Sequence, residues 1–600
     1  MRTTVSAGRE LVVPASYTIA PDAALPDLVT GNARDWPDFV AFQVPADNGW
    51  RDITAAEFAA QVAAVAKGLI ASGIEAGDRV AIMSGTRYEW SLLDFAVWAA
   101  GGCTVAIYDS SAPDQAEWIL TDSGSKLVVV EHLGHARTIS MVTAPLVGEM
   151  LRIDSDAIDE LIRRGTQIGD AELAARRAAV TADAPATLIY TSGTTGRPKG
   201  VILTHRNLLA EALSGQRALT DALVAGGRTL MFLPLAHVFA RAISVASLSA
   251  RVTVAHSSDW STLPQQFAAY QPDFILAVPR VFEKVYNGAK QRAHDSGKGR
   301  IFDAAAATAI AWSQAQETGG PDLLLRIKHA VFDRLVYTKL RAAMGGRCSR
   351  AVSGGGPLGA RLGHFFRGAG VPIYEGYGLT ETSAAITVNT PSAIRVGTVG
   401  RPVEGQAVKI AEDGEVLLRG SLVFSGYWHN DAATAEAFTE DWFRTGDLGA
   451  LDDDGYLRIT GRKKEILVTA AGKNVSPAPL EDSLRAHPLI SQCMAVGDGQ
   501  PFVGALITLD PEALPGWLER HEVDAATPLE RIVELPELRA ELDAAIAETN
   551  AKVSKAEGIK KFRVLTVDWT QESGELTPKM SLKRAVVAEK YAADIAALYN

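Results

Sequence analysis

Residues 187–200, reading TLIYTSGTTGRPKG, constrain this chain more than any other stretch. Leu188, Ile189 and Tyr190 form a strand-favouring apolar run that breaks abruptly into small hydroxylic residues and glycines. A chain leaving a buried strand in this way exposes its backbone N–H groups. Gly193, Gly196 and Gly200 permit tight turns, Thr191, Ser192, Thr194 and Thr195 add hydroxyls, and Lys199 adds a mobile positive charge. The string therefore predicts a loop that wraps phosphate oxygens. It is not a Walker loop, because Pro198 takes the place of the second glycine and Gly200 that of the hydroxyl ligand. A shorter Ser/Thr/Gly cluster would be read as a solvated turn; the motifs further along the chain decide against that here.

Six hundred residues exceed what one hydrophobic core organises, so two or more domains are expected. The net charge of −11 leaves no basic excess to replace phosphate counterions and argues against a general nucleic-acid binder. Cys103, Cys348 and Cys493 are widely separated and read as reduced thiols, neither a disulfide framework nor a metal site. The first residues lack the apolar run of a secretory signal, and the longest apolar run, 95–108, is too short to span a bilayer. A cytoplasmic protein is expected, with peripheral membrane contact left open.

Residues 1–38 carry little pattern and are expected to wrap the surface. Thr54 and Glu57 form a capping box opening an Ala-rich helix to about residue 71. Strands are then expected at 79–83, 104–108, 126–131, 229–233, 274–278 and 351–353, with helices between them, such as 90–100 and a charged, exposed 160–184. That alternation means parallel α/β sheets. Residues 283–347 form an insert of surface helices broken at Ser296-Gly297 and at 318–321. Beyond about residue 464 a compact α+β unit follows, in which Leu538, Leu542 and Ile546 form a helix packing face. The string 452–455, DDDG, is a hairpin turn and not a metal site.

Several motifs join the phosphate loop. His237 follows the string FLPLA, at the carboxyl end of an expected strand, where open α/β sheets bind ligands. Gly354, Gly355 and Gly356 form a glycine turn after a strand, against which a base or acyl chain could lie. Residues 374–381, YEGYGLTE, offer Tyr377 to stack on a purine and Glu381 as a carboxylate for Mg²⁺. Residues 445–447, TGD, offer Asp447, whose two oxygens could accept both hydroxyls of a ribose. GRKKE at 461–465 and LTPKMSLKR at 576–584 complete the set.

These strings resemble the signatures of the adenylate-forming enzymes, which include acyl-CoA synthetases, luciferases and peptide-synthetase adenylation domains. The resemblance runs from about Phe39 to the end. The insert and its flanking VPRVFEKVY string resemble the long-chain fatty acyl-CoA synthetase branch. It implies a large α/β N-terminal domain, residues 1–463, of parallel sheets plus a small β-rich subdomain, and a mobile α+β C-terminal domain, residues 464–600. It implies catalytic roles for Lys583, His237, Thr191 and Lys199. Nucleotide contacts would come from Thr191, Ser192, Gly193, Thr194, Thr195, Gly196 and Lys199 in the loop, from Gly354 to Gly356, and from Glu375, Gly376, Tyr377, Gly378 and Thr380. Asp447, Ile459, Arg462 and Lys583 would add to them. Lys464 falls at the hinge, Gly472, Lys473 and Asn474 at the CoA tunnel, and Thr191 and Glu381 at Mg²⁺. Leu582 stands where a glycine is usual, so Lys579 is the alternative to Lys583; Phe239 is the one nearby candidate for a gate to the acyl tunnel.

The reaction implied is ATP-dependent ligation of a long-chain fatty acid to CoA through an acyl-adenylate, with ATP, CoA and the fatty acid as partners and a homodimer left open. A fatty acyl-AMP ligase serving a carrier protein is disfavoured by the short stretch between Glu381 and Thr445. A peptide-synthetase-type adenylation domain is disfavoured by the long insert and by the lack of a carrier module after Asn600. A non-catalytic nucleotide-binding protein would bind without turnover.

Overall fold

The computed structural model describes residues 4–6, 10–47, 49–142, 149–191, 197–577 and 580–600. Two large sheets dominate it. In the first, the strands Pro185–Thr191, Cys103–Ile107, Arg79–Met83, Leu127–Val130 and Glu149–Arg152 run parallel in that order, and Lys199–Thr204 and Gly426–Tyr427 add an antiparallel edge. In the second, Ile373–Tyr377, Arg350–Ser353, Phe274–Ala277, Arg228–Met231, Thr253–His256 and Val40–Ala46 are parallel. Helices cover both faces of such sheets, so their strands read as unbroken apolar runs: Val80 to Met83 and Val128 to Val130 are fully buried.

The Thr54 capping box forms as expected: Thr54 Oγ1 accepts the Glu57 N–H at 3.2 Å, and Glu57 Oε2 accepts the Thr54 N–H at 2.9 Å. The stretch 160–184 departs from expectation. It is two helices, Ala157–Gly165 and Asp170–Ala178, and Leu161 of the first is wholly buried. The first helix crosses Ala55–Ala71 with backbones nearly touching. A Cβ on Gly68 would stand 2.0 Å from the Leu161 carbonyl oxygen, so only glycine fits there.

Residues 1–38 also differ from expectation. Strand Glu10–Val13 pairs with Gln406–Ile410 in a third, antiparallel sheet with Glu415–Gly420, Trp442–Leu451 and Leu457–Arg462. Helix Pro26–Asp35 starts on a proline whose missing N–H costs nothing at that position. A strand that joins its sheet through a partner about 400 residues away leaves little local pattern. The DDDG string turns between Trp442–Leu451 and Leu457–Arg462, with Gly455 at φ +81°, and Asp452 and Asp454 pair with Arg395.

The insert is helical, at Pro279–Asp295, Gly299–Glu317 and Leu323–Phe332, then a π-helical turn Asp333–Tyr337 and helix Thr338–Ala343. A second apolar core, separate from the large one, gathers Leu480, Leu484, Ile507, Trp517, Leu538 and Leu542. Around it lie a three-stranded sheet, Ile490–Val496, Val503–Leu509 and Ile559–Val564, and helix Pro536–Asn550. Its contacts with the rest are polar: Arg280 with Asp510 at 3.1 Å, Lys284 with Glu512 at 2.8 Å, and Ser476 Oγ to the Thr460 carbonyl at 2.8 Å. The three cysteines are buried free thiols.

One buried ion pair joins the two parallel sheets. Arg241, on helix Val238–Ala250, donates through Nε to Asp94 Oδ2 at 2.7 Å, through Nη2 to Asp94 Oδ1, and through Nη1 to Thr187 Oγ1 at 2.5 Å. Asp94 lies on helix Tyr88–Ala99 and Thr187 on the strand leading to the phosphate loop. The guanidinium also sits near the rings of Trp90 and Trp98, 5.0 and 5.4 Å from their centroids. Removing one partner strands a charge without water. Arg241→Met is therefore expected to cost about 3–5 kcal/mol in urea unfolding, and the double variant Arg241→Met/Asp94→Leu to recover part of it.

Candidate functional site

The carboxyl ends of strands Arg350–Ser353 and Ile373–Tyr377, of the second large sheet, meet helices His205–Ala218 and Val238–Ala250 around one cavity. Its lining combines polar groups, among them His237, Ser353, Tyr377 and Thr380, and the glycines Gly354 and Gly376 with the apolar side chains Leu219, Phe239, Ala242, Ile243, Ala246 and Val403.

His237 caps helix Val238–Ala250: its Nδ1 accepts the Phe239 N–H at 3.2 Å, so the neutral ring carries its proton on Nε2. Phe239, the expected gate candidate, is buried between that helix and the glycine turn; a Cβ on Gly354 would lie 3.2 Å from its ring. Gly355 takes φ +79°, a conformation open to glycine, so the turn can bend away from its strand. Glu375 is buried and does not line the cavity: its Oε1 accepts the Leu358 N–H at 2.9 Å, closing the glycine turn, and burial pushes its carboxyl up to about 7. Gly378 is obligatory, because a Cβ there would fall 1.5 Å from the Ala384 carbonyl oxygen.

Tyr377, Asp447 and Arg462, predicted separately, come together. The Tyr377 hydroxyl donates to Asp447 Oδ2 at 2.6 Å, and Arg462 Nε to Asp447 Oδ1 at 2.9 Å. Burial, reinforced by the Asp447 carboxylate, holds the Tyr377 hydroxyl well above its usual range, so it stays a neutral donor. Each Asp447 oxygen keeps a further lone pair for a ligand hydroxyl. Ile459 lies on the same hairpin, paired with Gly449.

Thr191 and Lys199 are cross-strand partners at the base of the phosphate loop; Ser192, Gly193, Thr194, Thr195 and Gly196 lie outside the described residues. Glu381 Oε1 accepts the Tyr427 hydroxyl at 2.9 Å, and the Lys199 ammonium stands 5.0 Å from the Tyr427 ring centroid. Tyr427 thus links two predicted residues, though nothing in its string marked it. Its strand pairs with the one that Lys199 begins.

The remaining candidates stand apart from the cavity. Lys583 donates its backbone N–H to Glu575 O at 2.8 Å, and its neighbour Arg584 anchors the segment on Glu481 Oε1 at 2.7 Å and Ala495 O at 2.8 Å. Lys579 lies outside the described residues. Gly472 sits in an open turn at φ +76°, Lys473 pairs with Glu557 at 3.1 Å, and Asn474 continues a short strand paired with Val468. Lys464 lies in the exposed helical turn Lys463–Glu465 that follows Arg462.

Sequence reasoning passed over Glu211. It lines the cavity from helix His205–Ala218, buried; its Oε1 accepts the Ala385 N–H at 3.3 Å, and its Oε2 has no hydrogen-bond partner among the described residues. The available signal was a carboxylate on the buried face of the helix, three residues after Leu208 and one before Ala212. Burial pushes its carboxyl up to about 8 from 4.5. The folded protein then keeps a proton that the unfolded chain releases, so this group's contribution to stability is greatest below about pH 4.5 and is lost as pH rises towards 8. Melting curves should show a shallower loss of stability between about pH 5 and 8.5 in Glu211→Gln than in the wild type; parallel curves would mean Glu211 is ionised in the fold.

The AMP-binding enzyme family matches residues 29–428, and the AMP-binding enzyme C-terminal domain matches 464–600. The long-chain-fatty-acid–CoA ligase FadD15 of Mycobacterium bovis is 55% identical over 598 residues, 99% of this chain and 100% of that protein. The human long-chain-fatty-acid–CoA ligase ACSBG1 is 30% identical over 606 residues, 94% of this chain and 83% of that one. Among solved structures, the adenylation domain of a carboxylate reductase from Mycobacterium chelonae superposes with a TM-score of 0.74 at 23% identity, covering 97% of this chain and 92% of that one. The o-succinylbenzoate CoA synthetase of Bacillus subtilis, in complex with ATP and magnesium, does so at 0.66 and 21%, covering 93% and 98%. Both share the fold. The chain belongs to the AMP-binding enzyme family, on the fatty acyl-CoA ligase branch of the adenylate-forming superfamily.

Proposed function

We propose that this protein is an ATP-dependent long-chain fatty acid–CoA ligase. The observation that carries the reading is the shared lining of one cavity, in which the apolar side chains Leu219, Ala242, Ile243 and Ala246 stand together with His237, the glycine turn and Tyr377. Joining an apolar acid to a nucleotide needs that juxtaposition. A carboxylate is a poor electrophile. Its oxygen attacks the α-phosphorus of ATP, the bond to the β-phosphate oxygen breaks, and pyrophosphate leaves. The CoA thiol, giving up its proton, then attacks the acyl carbon of the adenylate and displaces AMP, leaving the thioester.

In this reading Tyr377 stacks on adenine and Asp447, held by Tyr377 and Arg462, accepts the ribose hydroxyls, with Ile459 beside them. The glycine turn, Gly376, Gly378 and Thr380 shape the nucleotide pocket, with Glu375 as the brace of the turn. Thr191, Lys199 and the loop between them meet the phosphates, and His237 offers Nε2–H to developing oxyanion charge. Glu381 suits the Mg²⁺ that travels with ATP: it supplies hard carboxylate oxygens, Tyr427 orients one of them, and the other has no protein partner among the described residues. Thr191 would add a hydroxyl. Bound there, the ion would offset phosphate charge.

Neither the Lys583 segment nor the turn of Gly472, Lys473 and Asn474 lines the cavity. Both need to be carried to it. Rotation of residues 464–600 about Lys464 against the body 1–463 would deliver Lys583 for adenylation and the Gly472 turn for CoA, and the contacts that would break are polar and partly exposed.

Pyrophosphate release with ATP, Mg²⁺ and fatty acids from short to long tests the reading. Turnover that depends on CoA and peaks at long chains is expected. Release limited to about one equivalent per enzyme, with no thioester formed, would instead identify an acyl-AMP ligase that hands its product to a carrier protein.

A further inference from the structure

Helix Leu323–Phe332, in the insert, has no buried residue, and it turns large apolar side chains to solvent. Leu323 is 75% exposed, Leu324 61%, Ile327 56%, and Val331 and Leu335 50% each. A single exposed leucine is ordinary, whereas a contiguous exposed patch marks an interaction surface. At about 100° per residue, Leu323, Ile327, Val331 and Leu324 fall within one arc of roughly 100°. Leu335 extends it into the π-helical turn.

The inward face is already occupied, so this outward face is not a core surface awaiting a local partner. His329 Nε2 lies 2.6 Å from the Gly368 carbonyl oxygen and its ring stacks on Trp312 at 4.0 Å. Phe332 and Val336 pack against the large core, and the buried Tyr337 hydroxyl donates to Ala305 O at 2.7 Å. The helix is thus held firmly while its apolar arc faces out.

Charge identifies the occupant. Arg326 borders the arc on one side and Lys328 and Lys339 on the other, with Arg334 beside it; all four are exposed and none forms an ion pair among the described residues. The nearby anions are engaged: Asp322 caps the helix on the Leu325 N–H at 2.7 Å, and Asp333 pairs with Arg341 at 2.8 Å. On a chain of net charge −11, a local cationic rim around an apolar arc is the pattern of a helix lying in a lipid interface. No helix among the described residues is long and apolar enough to cross a membrane, so the contact would be peripheral.

We propose that the outward face of residues 323–339, with Leu323, Leu324, Ile327, Val331 and Leu335 as the apolar arc and Arg326, Lys328, Arg334 and Lys339 as its rim, docks the protein on an anionic phospholipid bilayer. The arc enters the acyl boundary and the cations meet lipid phosphates. The inference is independent of the ligase reading, since binding needs no turnover.

Co-sedimentation of the full chain with vesicles of equimolar phosphatidylglycerol and phosphatidylcholine, and of phosphatidylcholine alone, tests it. Wild type is expected to partition at least about tenfold more strongly to the anionic vesicles, with loss at high salt. Leu323→Ser/Ile327→Ser/Val331→Ser and Lys328→Gln/Arg334→Gln/Lys339→Gln should each weaken binding at least about tenfold while melting as the wild type does, since every changed side chain is exposed. Absence of wild-type binding to anionic vesicles, or binding unchanged by both triple variants, would overturn the proposal. So would a wild-type dimer that the serine variant converts to monomer without vesicle binding, because a second copy would then cover the face.

Discussion

The Arg241 guanidinium is the contact on which the site's geometry depends. Buried beside Trp90 and Trp98, it holds Asp94 with two donors and Thr187 with a third. Thr187 stands on the strand that ends at Thr191, where the phosphate loop leaves; Arg241 stands on the first turn of the helix that His237 caps. One side chain therefore ties the strand that ends at Thr191 to the helix that lines the cavity. Such a pair is weak as a source of net stability, because desolvation consumes much of the Coulomb gain. Its value here is directional, since a planar fork tolerates little misalignment.

From that fixed frame the site is assembled largely from backbone. Gly378 passes so close to the Ala384 carbonyl that no side chain is admissible, and Glu375 spends its carboxyl on the Leu358 N–H instead of a ligand. Beside the cavity, Tyr377, Asp447 and Arg462 then tie the parallel strand Ile373–Tyr377 to the antiparallel hairpin. A Tyr377 hydroxyl kept neutral by burial and by its carboxylate neighbour is a donor at every physiological pH.

What could be read in advance was whatever has a local signature. The Thr54 capping box, the apolar parallel strands and the DDDG turn each lie within a few residues of sequence, and each formed. What escaped depends on distant partners. Strand Glu10–Val13 exists because Gln406–Ile410 lies beside it. Glu211 becomes a buried acid only where helix His205–Ala218 meets the cavity, and Tyr427 acquires its role from Glu381 and Lys199 across an edge strand. The apolar stripe at 323–335 was readable as helix, but a helix with apolar residues on both faces looks like core until the structure shows one face exposed.

The lysine segment and the Gly472 turn, both away from the cavity, make the order of chemistry the central question. Fatty-acid-dependent exchange of labelled pyrophosphate into ATP without CoA isolates the first half-reaction, and thioester formation from supplied acyl-adenylate isolates the second. Wild type should exchange without CoA, and Lys583→Ala should lose exchange by at least about 100-fold while forming thioester from adenylate within severalfold of wild type. Exchange that requires CoA, or equal losses in both half-reactions, would contradict an acyl-adenylate route served by Lys583.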